Sequence, residues 1–351
     1  MRYGSTSPLG AVLVLATGLG GCADPADPHD EAYAPSDEKG DIFGEDDRIE
    51  RHQLEVIDPR YELARSSAAL FDDGISAMPG GGWVIEGESL GARKNLCEGE
   101  AFSEQLTSAW CSGTLVGPDL VLTAGHCLTK DNKGLSESSP EVKAACRRLK
   151  VAFDYAYDAL DSNPYELAAE DVYQCEEVLA LEYDRGLPFW FPPRPGPWHD
   201  YAVIKLDRSV SGRDPVTLQD GIGIGMHRAV THIGHPAGLP QKLVDSTVTR
   251  VTECENFGFS GDSFRHDSGS GVFDWISGNL VGVLIRGPNV HEYVNDPDRG
   301  CNVASVCGVD VDCSWYPHTW ANEIPLILSR LSDKVKNQLE IVEVGGPSRC
   351  R

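Results

Sequence analysis

The stretch CSGTLVGPDLVLTAGHC, residues 111–127, has two short apolar runs on either side of a Gly-Pro-Asp turn, followed by Thr-Ala-Gly-His-Cys. Apolar runs that flank such a turn predict a β-hairpin. Cys111 and Cys127 flank the hairpin, and a disulfide between them would fix the loop that carries His126. A general base needs such fixing, because small misplacements cost rate steeply. The stretch therefore predicts two paired strands that end at a candidate catalytic histidine.

Similar short apolar runs recur along the chain, separated by Gly, Pro, Asp and Asn. They predict strands at 110–116, 120–123, 150–155, 201–206, 229–234, 243–251, 271–275 and 280–285. A helical period over Ala321–Gln338 places five apolar residues on one face, namely Ile324, Ile327, Leu328, Leu331 and Val335. The chain shows no βαβ alternation. Many short strands closed by one terminal helix predict an all-β barrel or sandwich.

Charge and length limit the possible functions. The 351 residues include 54 acidic and 30 basic side chains, which gives a formal net charge of −24. A nucleic-acid partner is not expected, because a phosphate-binding protein needs a basic face. The acidic balance instead predicts a solvated surface that keeps the protein soluble.

The N-terminus predicts export. Residues 1–21 contain an apolar run, Leu9–Gly21, which is too short for a permanent membrane span and is typical of a signal peptide. The final Leu-Gly-Gly-Cys resembles a bacterial lipobox, which implies cleavage before Cys22 and a lipid on its sulfur. Ordinary secretion is the alternative. Residues 22–41 are rich in Pro, Ala and acids and predict a disordered tether, so the lipid would be the sole membrane contact.

The cysteine count agrees with export. Eleven cysteines are present, and removing Cys22 leaves an even ten, which in an exported protein predicts disulfides. Cys301, Cys307 and Cys313 are spaced six residues apart, unlike zinc ligands, so no metal is expected.

Three segments carry a family resemblance. Residues 111–127 resemble the histidine segment of chymotrypsin-like serine proteases, HDYAVIKL (199–206) the aspartate segment, and HDSGSGVF (266–273) the nucleophile segment, in the family's order. IFGEDDR (42–48) and GHPAGLPQKL (234–243) are most similar to the bacterial branch that includes glutamyl endopeptidases.

The resemblance implies a chymotrypsin-like double β-barrel with a C-terminal helix. The protease domain would span residues 42–345, with barrels at about 66–210 and 211–320 and the helix at about 321–340. It also implies a monomeric, exported endopeptidase that acts on proteins or peptides without a cofactor. With the lipid on Cys22, the enzyme would be anchored to a membrane of a Gram-negative bacterium, facing the periplasm or the cell exterior.

Carried over residue by residue, the resemblance makes Ser268 the nucleophile, His126 the general base and Asp200 the group that orients the imidazole. The backbone N–H groups of Ser268 and His266 would form the oxyanion hole. Ser270 also precedes a glycine and is interpreted as a structural turn residue.

One position departs from the family pattern. His266 stands where the family has Gly, and a non-glycine residue adopts a positive φ at a cost. Gly271 also replaces the usual Pro. These departures leave open a second hypothesis, a catalytically impaired homologue that acts as a binding protein. Ester hydrolysis by the same triad is a third.

The substrate-binding prediction is less direct. By resemblance, Asp262 and Ser263 lie at the base of the primary pocket, where a carboxylate would select Arg or Lys at P1. Arg286 and Gly287 lie on the strand expected to wall the pocket. Arg265 or Arg286 would neutralise Asp262 if paired with it, and Arg286 would favour an acidic P1. A loop-capping role for Asp262 is the remaining alternative.

Activation is predicted through Asp267. In digestive members of the family the aspartate before the nucleophile pairs with a new N-terminus, and Ile42 is the nearest candidate here. We favour instead a pairing of Asp267 with a neighbour such as Arg265, which would make the enzyme active without processing.

Overall fold

The computed structural model describes residues 42–130, 132, 134–184, 199–252, 255–288, 292–307 and 318–345. The predicted signal peptide, lipidated Cys22 and tether lie outside the described residues, as do Cys254, Cys313 and Cys350. In the described part of the chain, no helix is long and apolar enough to cross a membrane.

Strands dominate the described residues. They are β1 Ser67–Phe71, β2 Ile75–Ala77, β3 Trp83–Ile85, β4 Glu88–Ser89, β5 Leu106–Thr107, β6 Cys111–Gly117, β7 Leu120–Thr123, β8 Lys150–Ala152, β9 Glu166–Leu167, β10 Val172–Asp184, β11 His199–Leu206, β12 Leu218–Gly221, β13 Ala229–Gly234, β14 Lys242–Val251, β15 Asn256–Phe259, β16 Gly271–Asp274, β17 Leu280–Arg286, β18 Tyr293–Asp296, β19 Cys301–Ala304, β20 Thr319–Glu323 and β21 Ile341–Val344.

The helices are short. They are α1 Pro59–Arg65, α2 Leu90–Lys94, α3 His126–Thr129, α4 Pro140–Arg148, α5 Ile324–Arg330 and α6 Asp333–Lys336, with 3₁₀ turns at Arg51–Gln53, Ala169–Asp171 and Pro236–Gly238.

The first barrel closes in the order β1-β6-β7-β11-β10-β8. All its neighbouring strands run antiparallel. Both faces of β6 and β7 are buried, which explains why these segments read as continuous apolar runs rather than as alternating ones. The apolar core inside this barrel includes Leu70, Leu115, Val121, Val151 and Ile204.

The second barrel closes in the order β13-β14-β15-β20-β17-β16, because β16 also pairs with β17. Its core includes Val230, Val248, Phe257, Phe259 and Leu284. Strands β12 and β21 extend this sheet beside β17 through parallel pairing. Two closed six-stranded antiparallel barrels confirm the predicted all-β, chymotrypsin-like double-barrel fold over the sandwich alternative.

The C-terminal helix is present, but its predicted bounds are wrong. Thr319–Glu323 form β20, which pairs with both β15 and β17, so the helix begins only at Ile324. Pro325 occupies its first turn, where a missing N–H costs nothing. The helix ends at Arg330 because Leu331 is extended, with φ −73° and ψ 144°, and Ser332 then starts α6.

The predicted apolar face of this region is nevertheless buried. Ile324, Ile327, Leu328, Leu331 and Val335 all pack into one core cluster with residues of both barrels, such as Leu120 and Leu280. Burial of the stripe survives the break in the helix, because α6 continues along the same side.

Three disulfides join described cysteines, in the pairs Cys97–Cys301, Cys111–Cys127 and Cys146–Cys175. The second spans the β6–β7 hairpin, as its sequence position suggested. The Cys111 and Cys127 sulfurs lie close to His126 in a grouping that resembles a metal site, but a sulfur already bonded in a disulfide offers no thiolate ligand.

The N-terminal strap, residues 42–54, connects the two barrels. Ile49 forms a β-bridge with Leu243 of β14. Glu50 accepts a hydrogen bond at 3.0 Å from the buried Lys242 ammonium, whose pKa burial lowers to about 8. The Arg51 guanidinium, 1 % exposed, pairs with Asp154 at 2.8 Å on the first-barrel side. The strap is therefore fixed by buried ion pairs at several points.

Candidate active site

His126 lies at the start of α3, immediately after β7. Its Nδ1 is 2.7 Å from Asp200 Oδ2, and its backbone N–H donates to Asp200 Oδ1 at 2.9 Å. Gly125 allows this approach, since a Cβ at that position would lie 2.4 Å from the Glu182 carbonyl oxygen. The Asp200 carboxylate thus holds both the ring and the main chain of His126, and Nε2 becomes the lone-pair nitrogen of the neutral imidazole.

Asp200 is fixed from the second barrel. It lies near the start of β11, is 5 % exposed, and its backbone N–H donates to Asn322 Oδ1 at 2.7 Å. Asn322 is fully buried on β20 and donates in turn to Asn256. The sequence analysis missed Asn322, because its position was assigned to a helix and no local motif marks it.

The loop that carries Ser268 rests on Ser112 of β6. The Ser112 N–H donates to the Ser268 carbonyl at 2.8 Å, and its Oγ donates to the His266 carbonyl at 3.3 Å. The same Oγ accepts the His235 N–H at 2.9 Å. Gly269 has φ +93°, and a Cβ there would lie 2.0 Å from the Ser112 carbonyl oxygen. The approach requires glycine, and Ser112 is a second residue that sequence reasoning missed.

The Ser268 loop and His126 meet at the Cys111–Cys127 disulfide. The Cys127 sulfur lies 3.7 Å from the Ser268 carbonyl oxygen, and Cys127 directly follows His126. Ser268 itself is half-buried, whereas Ser270 is fully buried and its hydroxyl donates to Asp267 Oδ1 at 2.6 Å. The structure therefore brings His126, Asp200 and the Ser268 loop together, and places Ser270 beneath the loop.

His266 adopts the backbone conformation of the glycine it replaces, with φ +73°. Its Nδ1–H donates to the Trp110 carbonyl at 2.9 Å, and the two rings are in contact with centroids 5.6 Å apart. Burial lowers the pKa of His266, so the neutral ring is favoured. These contacts offset the cost of a positive φ in a non-glycine residue.

The Asp262 carboxylate faces the N-terminal strap. Its carboxylate, 1 % exposed, accepts the Phe43 N–H at 2.7 Å and the Asp47 N–H at 3.4 Å, both from the strap. Burial raises its pKa to about 7. Neither predicted arginine partner pairs with it in the contacts that the structure describes. Ser263, also predicted to bind substrate, is fully buried, and its Oγ shares a hydrogen bond of 2.8 Å with Thr319 Oγ1.

The Asp267 side chain lies beside a different residue from the one predicted. Arg265 is exposed, and its backbone N–H donates to the Glu292 carboxylate. Asp267 Oδ2 instead faces His232 Nε2 at 3.3 Å, and both side chains are buried. The expected Asp267–Arg265 pair is therefore wrong, because the Asp267 side chain points into the second barrel.

The two remaining predicted pocket residues lie at the end of β17. Arg286 and Gly287 are half-buried, and Arg286 stands opposite Trp320 of β20. Two residues earlier, the Leu284 carbonyl accepts the Gly269 N–H at 2.7 Å. The end of β17 is thus adjacent to the Ser268 loop.

Part of the chain matches a known protein family. The family model "Trypsin-like peptidase domain" matches residues 111–283. A solved glutamyl endopeptidase is similar at 16 % identity and a TM-score of 0.44, covering 85 % of this chain and 100 % of that one. The HtrA-type protease AlgW, solved with a decapeptide, is similar at 14 % identity and a TM-score of 0.43, covering 82 % and 69 %. No curated protein matches the sequence.

The raised pKa of Asp262 predicts a pH-dependent stability. Between the ordinary value of 3.8 and about 7 the folded protein holds a proton that the unfolded chain has lost. The free energy of unfolding should therefore fall as the pH rises through this range. Asp262→Asn keeps an acceptor for the Phe43 N–H but cannot ionise. From pH 5 to pH 8 the free energy of unfolding should therefore fall less in this variant than in the wild type, by a difference of more than about 1 kcal/mol.

Urea unfolding at pH 5, 6, 7 and 8 measures this difference. Asp298→Asn, at an exposed position on the hairpin turn between β18 and β19, is the matched control and should follow the wild type. If the free energy of unfolding falls equally with pH in the wild type and in Asp262→Asn, then ionising Asp262 costs the folded protein no stability.

Proposed function

The chain carries a trypsin-like peptidase domain over residues 111–283, and from this premise we propose that it is a serine endopeptidase. Ser268 is the nucleophile, His126 the general base and Asp200 the orienting acid. The observation that carries the proposal is the two-point contact between Asp200 and His126, next to a loop that Ser112 holds against the same hairpin.

The chemistry follows from these positions. As Ser268 Oγ bonds to the scissile carbonyl carbon, its proton passes to His126 Nε2, and Asp200 stabilises the imidazolium. The imidazolium then gives the proton to the leaving amine as the C–N bond breaks, which leaves an acyl-enzyme. Water attacks the ester with the same base and releases the acid. No cofactor takes part in these steps.

The developing oxyanion would be bound by the backbone N–H groups of Ser268 and His266. Donors fixed in advance are effective because they need no reorganisation during the reaction. The positive φ of His266 and its anchoring to Trp110 support this role. They weigh against the alternative, an impaired homologue that only binds its partners.

Selectivity at P1 is proposed not to depend on the charge of Asp262. Its carboxylate already accepts two backbone N–H groups, and its raised pKa leaves it partly neutral near pH 7. A P1 Arg or Lys would therefore gain little from it. Arg286 is the last residue of β17, whose Leu284 carbonyl accepts the Gly269 N–H, and it favours an acidic P1 as the second candidate.

We also propose that the protein is exported and lipid-anchored through Cys22, as a monomer. The three disulfides between described cysteines are in keeping with an oxidising compartment. Mass spectrometry of the mature N-terminus tests the anchor. A diacylglyceryl thioether on Cys22 is expected, and an unmodified terminus would refute it.

The proposed triad predicts that the full chain cleaves an unfolded protein substrate. Ser268→Ala and His126→Ala should each lower kcat/KM by about 10³-fold or more, because each removes a group that acts only in the transition state. Initial rates of peptide-bond cleavage measure this, with an ester substrate run beside it. Ser209→Ala, at an exposed position beyond β11, is the control and should retain wild-type rates.

The outcomes are distinct. Cleavage that persists in Ser268→Ala would assign the nucleophile elsewhere. A folded wild type that cleaves neither substrate would favour the binding-protein alternative. Ester cleavage without peptide cleavage would indicate an esterase. Peptides with Arg, Glu or Ala at P1 complete the set, and Asp262→Asn should leave the ratios of kcat/KM among them unchanged.

A further inference from the structure

A basic cluster lies beside the proposed oxyanion loop. It consists of Arg93 and Lys94 in the last turn of α2 and of Arg265, which directly precedes His266. Arg93 and Arg265 are exposed, and Lys94 is half-buried. This local excess of positive charge contrasts with the formal net charge of −24 on the whole chain.

Packing joins α2 to the Ser268 loop. Leu90 of α2 belongs to the same apolar cluster as Phe264, and Tyr293 packs against that cluster. The Phe264 and Tyr293 rings have centroids 5.6 Å apart, and the Lys94 ammonium lies 5.3 Å from the centroid of the Tyr293 ring. The two segments that carry the basic cluster are therefore held side by side.

One carboxylate connects these two segments. Glu292 Oε2 pairs with the Lys94 ammonium at 3.1 Å, and Glu292 Oε1 accepts the Arg265 N–H. Glu292 is only 9 % exposed, so its carboxylate is committed to contacts within the fold. Its single negative charge compensates Lys94 and leaves the charges of the two arginines.

The guanidinium groups of both arginines remain available to an anion from solvent. Arg93 donates to Thr107 Oγ1 at 3.0 Å, and this hydroxyl is a neutral acceptor. Glu88 stands opposite Thr107 in the β4–β5 pair. Among the residues that the structure describes, neither Glu88 nor any other carboxylate lies within ion-pair distance of Arg93 or Arg265.

The charge of the basic cluster extends to the oxyanion loop. Burial lowers the pKa of His266 most, and the positive charges of Arg93 and Lys94 lower it further, whereas Glu292 raises it. Two cations of α2 therefore lie within electrostatic range of the residue whose N–H is a proposed oxyanion donor.

The basic cluster lies toward the first barrel. Arg93 is bonded to Thr107, and Thr107 belongs to the segment that continues through Trp110 into β6. The Trp110 carbonyl accepts the His266 Nδ1–H at 2.9 Å, and the Trp110 indole N–H donates to the Cys127 carbonyl at 3.2 Å. The cluster therefore borders the part of the site that carries the proposed general base.

This part of the site receives the leaving group. His126 would give its proton to the amine on the C-terminal side of the scissile bond. The predicted P1 residues, Arg286 and Gly287, instead lie at the end of β17 in the second barrel. Substrate residues that follow the scissile bond are therefore expected to pass the basic cluster.

We propose that Arg93 and Arg265, together with Lys94, form a subsite for acidic side chains at P1′ and P2′ of the substrate. A guanidinium binds a carboxylate through two parallel N–H donors, and a neutral amide in place of the carboxylate loses the charge of this pair. The preferred substrates would be proteins with Asp or Glu just after the scissile bond. This inference rests on the proposed endopeptidase function.

Paired peptides test the subsite. Each peptide with Arg, Glu or Ala at P1 is made with Glu-Glu and with Gln-Gln at P1′ and P2′, and mass spectrometry identifies the bond that the full chain cleaves. At about 0.05 M salt, kcat/KM should be at least about fivefold higher for Glu-Glu than for Gln-Gln. About 1 M salt should bring this ratio close to one, because it screens exposed charges. A ratio of one or less at low salt would overturn the proposal.

Two double variants assign the preference to the arginines. Arg93→Gln/Arg265→Gln should bring the ratio of kcat/KM for Glu-Glu over Gln-Gln to within about twofold of one. Arg93→Glu/Arg265→Glu should reverse the preference, because like charges then face each other. A neutral variant that keeps the full wild-type ratio would overturn the proposal.

Lys334→Gln/Lys336→Gln is the matched control, since it also removes two positive charges. Both lysines belong to α6. The turn after α6 lies at the opposite end of the β6–β7 hairpin from His126, where a Cβ on Gly117 would be 3.0 Å from the Gln338 carbonyl oxygen. The control should keep the wild-type ratio. An equal loss in the control would show that net charge rather than the basic cluster sets the preference.

Equilibrium binding keeps this test separate from the endopeptidase assignment. Fluorescence anisotropy of labelled Glu-Glu and Gln-Gln peptides is measured with full-length Ser268→Ala. The Glu-Glu peptide should bind at least about fivefold more tightly, and adding Arg93→Gln/Arg265→Gln should abolish the difference. An inactive wild type with this binding difference would refute the proposed function and keep the acidic subsite. Equal affinities, or no binding of either peptide, would refute the subsite.

Discussion

The Ser112 main chain and hydroxyl are the contact on which the site depends most. Ser112 of β6 donates two hydrogen bonds to the Ser268 loop and accepts one from the His235 N–H, and these three bonds connect both segments to the hairpin that ends at His126. Since every residue of β6 is buried, the loop from the second barrel is held against a rigid element. The position of the nucleophile relative to its base is thus determined by packing between the barrels.

Buried charge is the second constraint. Asp200, Asp262 and Asp267 are each nearly inaccessible, and each carboxylate is paired with hydrogen-bond donors, from His126, from the strap and from Ser270 respectively. Such pairs add little net stability but make departures from the native arrangement expensive. Because departures from the native contacts are costly, these buried carboxylates favour one placement of the residues that the two barrels contribute to the site.

Much of the fold and of the candidate site could be predicted locally. The hairpin over 111–127 and the strand from His199 contain their own apolar runs, the hairpin also a turn signal, and they place His126 and Asp200 at strand ends. The apolar stripe after Ile324 was also found, but Thr319–Glu323 was assigned to the helix. Helical spacing alone does not show that these residues are needed as a strand between β15 and β17.

The contacts that were missed or wrongly assigned are long-range. Ser112 and Asn322 become important only through contacts with segments far apart in sequence, which no local pattern reveals. Asp262 was matched to a pocket position by family resemblance, and two N–H groups of the strap bind its carboxylate. Sequence placed the residue correctly in its loop and could not tell which side of the loop its carboxylate faces.

A covalent probe tests the central claim most directly. The full chain, treated with a fluorophosphonate and digested, should show by mass spectrometry a single phosphonylated serine at Ser268, and the adduct should be absent in His126→Ala. The account would be contradicted if the adduct lay on Ser270, or if a folded protein were not labelled at all.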